Sequence, residues 1–265
     1  MSVSIIYLTG ATACGKGLLG EKLAESFGFR HVSIGELRRA HLESIRSGLP
    51  LSDERIRQCV REERAIPESL LAEYETVPAV LQYYNHRAAG HLNSWTVKLA
   101  SKMLNEFFTD VRSQAKSEGK PLQVVVVDGH PLTSGNHSAE LVKMYATSYS
   151  GLTIVLESPR EVSKKRYMER ARQVGNLEER FEARMELTDR VLPGFLELMA
   201  KQGEVVRSRN DDIMSPDMAL THLLGVLNKS AAWLSLLEKT GNITNEIAPL
   251  HGVNIMHHYT RPVSS

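Results

Sequence analysis

Residues 5–20 read Ile5-Ile6-Tyr7-Leu8-Thr9-Gly10-Ala11-Thr12-Ala13-Cys14-Gly15-Lys16-Gly17-Leu18-Leu19-Gly20. An apolar run ends in a glycine-spaced loop that carries one lysine. Gly10 and Gly15 enclose four residues and Lys16 follows, the spacing of a phosphate-cradling loop. Glycines let backbone N–H groups curl around phosphate oxygens, and the positive end of the next helix adds attraction. Ile5–Leu8 reads as a buried strand, and Leu18–Phe27 as a helix with Leu19, Leu23 and Phe27 on one face. The strict pattern places Ser or Thr after the lysine, where this chain has Gly17. The competing reading is an ordinary glycine-rich turn between strand and helix.

Working outward, strand and helix patterns alternate, which predicts an α/β fold with a parallel sheet. The expected strands are Ser4–Thr9, Arg30–Ser33, Leu122–Val127, Leu152–Glu157 and Glu204–Arg207. Four consecutive valines at 124–127 suit a strand covered on both faces. Roughly ninety residues separate the second strand from the third, far more than a crossover requires. That block holds helical patterns near Asp53–Arg64, Pro67–Glu75 and Ser94–Lys116. The Arg and Glu run at 54–64 reads as a solvated helix face with i,i+4 pairs. One more helix, Ala231–Lys239, follows, and then a tail containing His257 and His258 without further ligands at metal-binding spacing.

The chain has 265 residues, 42% of them hydrophobic, a net charge of +1 and two cysteines. This content supports a sizeable core. The charge gives no reason to expect a nucleic-acid or membrane partner. A strand so close to the first residue argues against a cleavable leader, no run is long enough to span a bilayer, and Cys14 with Cys59 builds no disulfide scaffold. The expectation is a cytoplasmic protein.

Val124-Val125-Val126-Val127-Asp128-Gly129-His130-Pro131 is the second informative run. An acid at the end of a buried strand beside a phosphate loop can organise the waters around Mg²⁺. Asp128 is placed for that role, with a turn cap as the alternative. His130 reads as a packed ring. Further on, Lys165-Arg166-Tyr167-Met168-Glu169-Arg170-Ala171-Arg172 and later Arg184 concentrate positive charge, as phosphoryl transfer requires, or else form a charged helix surface.

These motifs resemble the adenylate kinase and nucleoside monophosphate kinase family. Gly15-Lys16-Gly17 is similar to that family's own loop, Ser33-Ile34-Gly35-Glu36-Leu37-Arg38-Arg39 to its Ser-Thr-Gly-Asp-Leu-Leu-Arg, and Asp128-Gly129 with Pro131 to its Asp-Gly-Phe-Pro-Arg. The resemblance covers most of residues 4–227. It implies a P-loop kinase core with a central, mainly five-stranded parallel sheet, an acceptor-binding insertion over about 40–121, a short lid over about 170–178, and a C-terminal helix and tail from 228. It further implies transfer of the γ-phosphoryl of Mg·ATP to a nucleoside monophosphate or similar phosphorylated acceptor, by a monomer.

By the same resemblance, Gly10, Ala13, Cys14, Gly15, Lys16, Gly17, Leu18 and Arg170 would hold ATP, and Asp128 the metal. Lys16, Arg166, Arg170, Arg172 and Arg184 would carry the transfer. Gly35, Arg39, Gly129 and Asn136 would hold the acceptor, Asn136 standing where adenylate kinases carry a base-reading Gln. The chain departs from the family at Leu18 and Ile34 for Thr, Ser94 for Pro, Leu132 for the arginine that grips the acceptor phosphate, and in a lid without its Asp-Asp-Asn run. These departures leave open a different small-molecule acceptor, or nucleotide binding without turnover. Cys14 has two readings: a thiol lining the nucleotide and activated by the helix N-terminus and Lys16, or a small buried side chain facing the sheet.

Overall fold

The computed structural model describes residues 2–37, 53–61, 65–73, 92–119, 122–129, 149–170 and 177–242. Their elements run β1 (Ser2–Gly10), α1 (Lys16–Phe27), β2 (Arg30–Ser33), α2 (Glu54–Arg61), α3 (Glu68–Leu71), α4 (Leu92–Ser117), β3 (Leu122–Asp128), β4 (Tyr149–Glu157), α5 (Arg160–Glu169), α6 (Leu177–Ala200), β5 (Glu204–Arg209), α7 (Pro216–Leu227) and α8 (Ala231–Thr240). All five expected strands are present. Most extend past their apolar stretch, because backbone pairing continues where the side-chain pattern has become polar. The clearest case is β4, which starts at Tyr149 instead of Leu152.

The strands form one parallel sheet in the order β2-β3-β1-β4-β5. Residue Leu8 of β1 pairs with Asp128 of β3, and Gly10 pairs with Leu156 of β4. From β1 the chain builds the sheet outward in both directions, so its C-terminal end lies at the switch point of the topology. Ligands of open α/β sheets bind at such crevices. The loop after Gly10 and the carboxylate of Asp128 therefore open on the same edge.

Strand alternation divides the core. Ile6, Leu8, Val124, Val126, Ile154 and Leu156 face α1, α7 and α8, where they meet Leu19, Leu23, Leu223, Leu227 and Trp233. On the other face Val3, Ile5, Tyr7, Val125 and Val127 meet Leu104, Phe108 and Val111 of α4 and Phe195 and Met199 of α6. The valine run is buried throughout, as a doubly covered strand demands.

On the charged face of α2 the described pairs are of two kinds. Arg57 pairs with Glu54 at i,i+3, and Arg55 bridges Asp53 and Glu73 instead of an i,i+4 partner. Hydrogen bonds from Arg55 hold both carboxyls below the ordinary carboxylate range. Glu73, beyond α3, lies within reach and gives the guanidinium a cross-element partner. No helix among the described residues is long and apolar enough to cross a membrane.

The helix expected after Leu227 is α8, and it is built into the core. Ser230 caps it, accepting from the Trp233 N–H at 3.1 Å. Trp233 has no exposed surface and stands edge-on to Phe27 at 4.8 Å and to Phe29 at 6.1 Å. Truncating a buried aromatic of this size costs about 3–5 kcal/mol. Trp233→Ala should therefore lower the urea midpoint by a large fraction of the total stability. An unchanged midpoint would mean that α8 lies outside the cooperative unit.

Candidate nucleotide-binding site

β1 ends at Gly10 with φ 140°, and a Cβ there would lie 2.2 Å from the Leu156 carbonyl oxygen. Only glycine lets the strand run this close to its neighbour and still turn. The Cys14 N–H then donates to the Ala11 carbonyl at 3.4 Å. Ala13 takes the left-handed conformation at φ 60°, held in a cluster with Tyr167, Phe181 and Met185. Gly15, at φ 98°, starts α1, and its carbonyl accepts from the Leu19 N–H at 3.0 Å.

No side chain caps this helix start and no acid stands in its first turn. Its positive end is thus available to an anion. The Lys16 ammonium spans the loop, donating to the Gly10 carbonyl at 2.9 Å and the Ala11 carbonyl at 2.5 Å, and lies 3.5 Å from Cys14 Sγ. Cys14 itself has no exposed surface and packs among sheet residues. Of its two readings, the buried one describes the side chain, whose Sγ still meets the Lys16 ammonium from beneath the loop.

Asp128 is 4% exposed, a burial that an ionised carboxylate tolerates only with partners. Its Oδ1 accepts from Ser33 Oγ at 2.9 Å, and its Oδ2 lies 2.9 Å from His31 Nε2. The turn that the cap alternative concerns lies beyond Gly129, outside the described residues. Gly17 brings the start of α1 alongside, since a Cβ there would be 3.8 Å from Oδ2. Gly20 leaves room for the His31 ring, which a Cβ would approach to 2.7 Å. The sequence reading missed His31 and Ser33. Their spacing places both on one face of β2, and Ser33 pairs with Asp128 in the ladder.

Beside the loop lies a cavity of about 310 Å³ bordered by Gly15, Leu18, Arg166, Arg170, Asn210 and Met214. The Arg166 guanidinium donates to the carbonyls of Asn210 at 3.2 Å and Asp211 at 2.8 Å, fixing the wall of that cavity. Arg184 lies over the Tyr167 ring, 5.5 Å from its centroid, a cation–π geometry. Asn210 also escaped the sequence reading. Its amide donates to the Cys14 carbonyl at 2.8 Å.

Of the acceptor-side residues, Gly35 and Gly129 meet. A Cβ on Gly129 would lie 3.4 Å from the Gly35 nitrogen. Arg39, Asn136, Arg172, His130 and Leu132 lie outside the described residues, as do residues 171–176 of the expected lid and the tail with His257 and His258.

No family model matches the chain. A uridylate kinase of Saccharomyces cerevisiae is 37% identical over 68 residues, 26% of this chain and 32% of that protein. The match thus spans about a third of that relative's length. The chain resembles the nucleoside monophosphate kinases. Among solved structures, a shikimate kinase from Bacteroides thetaiotaomicron aligns with a TM-score of 0.45 and 13% identity, over 85% of this chain and 98% of that one. TT1252 from Thermus thermophilus aligns with a TM-score of 0.46 and 14% identity, over 86% and 98%.

The thiol in the loop is a core group. Both cysteines are buried, Cys14 at 0% and Cys59 at 2% exposure. Iodoacetamide should therefore modify neither one in the native protein, with or without Mg·ATP, and both after denaturation. Mass spectrometry reads the outcome directly, and native labelling at Cys14 that ATP suppresses would restore the nucleotide-lining assignment.

Proposed function

We propose that the chain is an ATP-dependent phosphotransferase of the nucleoside monophosphate kinase type. It would move the γ-phosphoryl of Mg·ATP to a nucleoside monophosphate or similar phosphorylated acceptor. One observation carries the reading: a glycine-bounded loop with Lys16 opens onto an uncapped helix start, with the buried Asp128 carboxylate alongside. Lys16 and the loop N–H groups would hold the donor phosphates, and the cavity beside Leu18, Arg166 and Arg170 would take the donor nucleoside.

Asp128 suits Mg²⁺. Its carboxylate is oriented by Ser33 and His31, and each oxygen keeps acceptor capacity. No group of three or more His, Cys, Asp or Glu ligands stands among the described residues, so phosphates and waters would complete the shell. The ion would supply neutralisation of developing charge on the phosphates. Arg170, Arg172 and Arg184 would add positive charge around the moving group, and Gly35, Arg39, Gly129 and Asn136 would hold the acceptor. The reading carries with it a monomer working in the cytoplasm on small molecules, with neither a nucleic-acid polymer nor a membrane as partner.

A second reading is nucleotide binding without turnover, which Leu18 favours. It places an apolar side chain, 45% exposed, where the kinases carry a hydroxyl. An assay of ADP release over a panel of nucleoside monophosphates separates the two. Transition-state charge stabilisation by one preorganised cation is worth several kcal/mol, so Lys16→Met should cut turnover about a hundredfold or more. Its thermal transition should stay close to wild type, because Lys16 meets only loop groups. A variant that keeps most of the wild-type rate would refute the donor-site assignment.

A further inference from the structure

Asn210 stands immediately after β5 and is 6% exposed. Its main chain is fixed twice: its N–H donates to the Glu157 carbonyl at 2.7 Å, and its carbonyl accepts from Arg166 at 3.2 Å. From this anchored position the side chain reaches the phosphate loop, 196 residues away in sequence. Nδ2 donates to the Cys14 carbonyl at 2.8 Å. A carbonyl can only accept, so the amide nitrogen must be the atom that faces it. The contact is also close packed, since a Cβ on Gly15 would lie 2.3 Å from Nδ2. Glycine at 15 and asparagine at 210 are therefore two halves of one joint.

The consequence follows from the planarity of the peptide. In a trans unit the C=O and the next N–H point in opposite directions. Holding the Cys14 carbonyl on Asn210 aims the Gly15 N–H away from Asn210. We propose that Asn210 is a positioning residue: it sets the 14–15 peptide so that the Gly15 N–H is presented to a phosphate oxygen. The assignment rests on the reading of this loop as the donor-phosphate site. Because Arg166 grips the same residue's carbonyl, the loop and the cavity wall are positioned by one anchor. A phosphate contact made through this peptide needs no reorganisation when the ligand arrives.

The test uses full-length protein labelled with ¹⁵N-glycine and two probes, Mg·ATP and inorganic tripolyphosphate, the second reporting on the loop without the nucleoside cavity. In wild type both probes should shift the Gly15 amide signal. Asn210→Asp replaces the donor by a carboxylate that repels the Cys14 carbonyl, and Asn210→Ala removes the donor without adding charge. Both should lose the Gly15 shift and at least about tenfold in affinity for each probe, the cost of a hydrogen bond to a charged partner. The alanine variant carries the test if the aspartate variant does not fold. Variants that bind both probes as wild type does, with the Gly15 shift intact, overturn the role of Asn210 and leave the donor reading standing. A wild-type Gly15 signal that neither probe moves removes the donor site from this loop, and this inference with it.

Discussion

The close passage of β1 beside β4 at their C-terminal ends is the constraint on which the site depends. At Gly10 the backbone comes so near the Leu156 carbonyl that a Cβ would meet it at 2.2 Å, and Cys14 Sγ would lie 2.9 Å from the same atom. A larger residue would separate the strands or displace the loop. Because the gap is closed, the chain must leave the sheet at a fixed point and in a fixed direction. The loop then curls over Cys14, which fills the space beneath it as part of the core. The geometry of the loop and the hydrophobic packing beneath it are here set by the same few atoms.

Around that point the sheet supplies the fixed polar groups. β2 brings His31 and Ser33, β3 brings Asp128, and the residue after β5 brings Asn210. Each is buried or half-buried, and the polar atoms that define the site are bonded to one another. A buried carboxylate or amide without partners would cost several kcal/mol, so these contacts are conditions of the burial. They also restrict movement, since each group joins two elements. Asp128 is held from β2, and the loop is held from the end of β5.

Much of the fold was legible because it rests on local patterns. The apolar stretch before Gly10 and the run Val124–Val127 announce doubly covered strands, and the spacing from Gly10 to Lys16 announces the loop. Asp128 was legible for the same reason, as the last residue of its run. His31, Ser33 and Asn210 were not, because their partners lie 97, 95 and 196 residues away and only sheet register brings them together. A similar limit applied to Arg55, whose bridge reaches Glu73 18 residues away, and to Trp233, whose burial depends on Phe27 and Phe29. Cys14 was ambiguous in sequence because a loop has no periodicity to say which side chain turns inward.

The cations around the loop differ in how firmly they are held. Arg166 bonds two carbonyls of the cavity wall, and Arg184 rests on the face of Tyr167. Both are seated on helices, α5 and α6, which pack on one another through Tyr167 and Phe181. Lys16 is different. Its partners are two neutral loop carbonyls and a sulfur, all within six residues. An anion offers the ammonium a full opposite charge where these carbonyls offer only dipoles, so contacts of this kind are open to displacement. Lys16 is thus held only by groups of its own loop, whereas Arg166 is tied to the cavity wall and Arg184 to the aromatic face of α5.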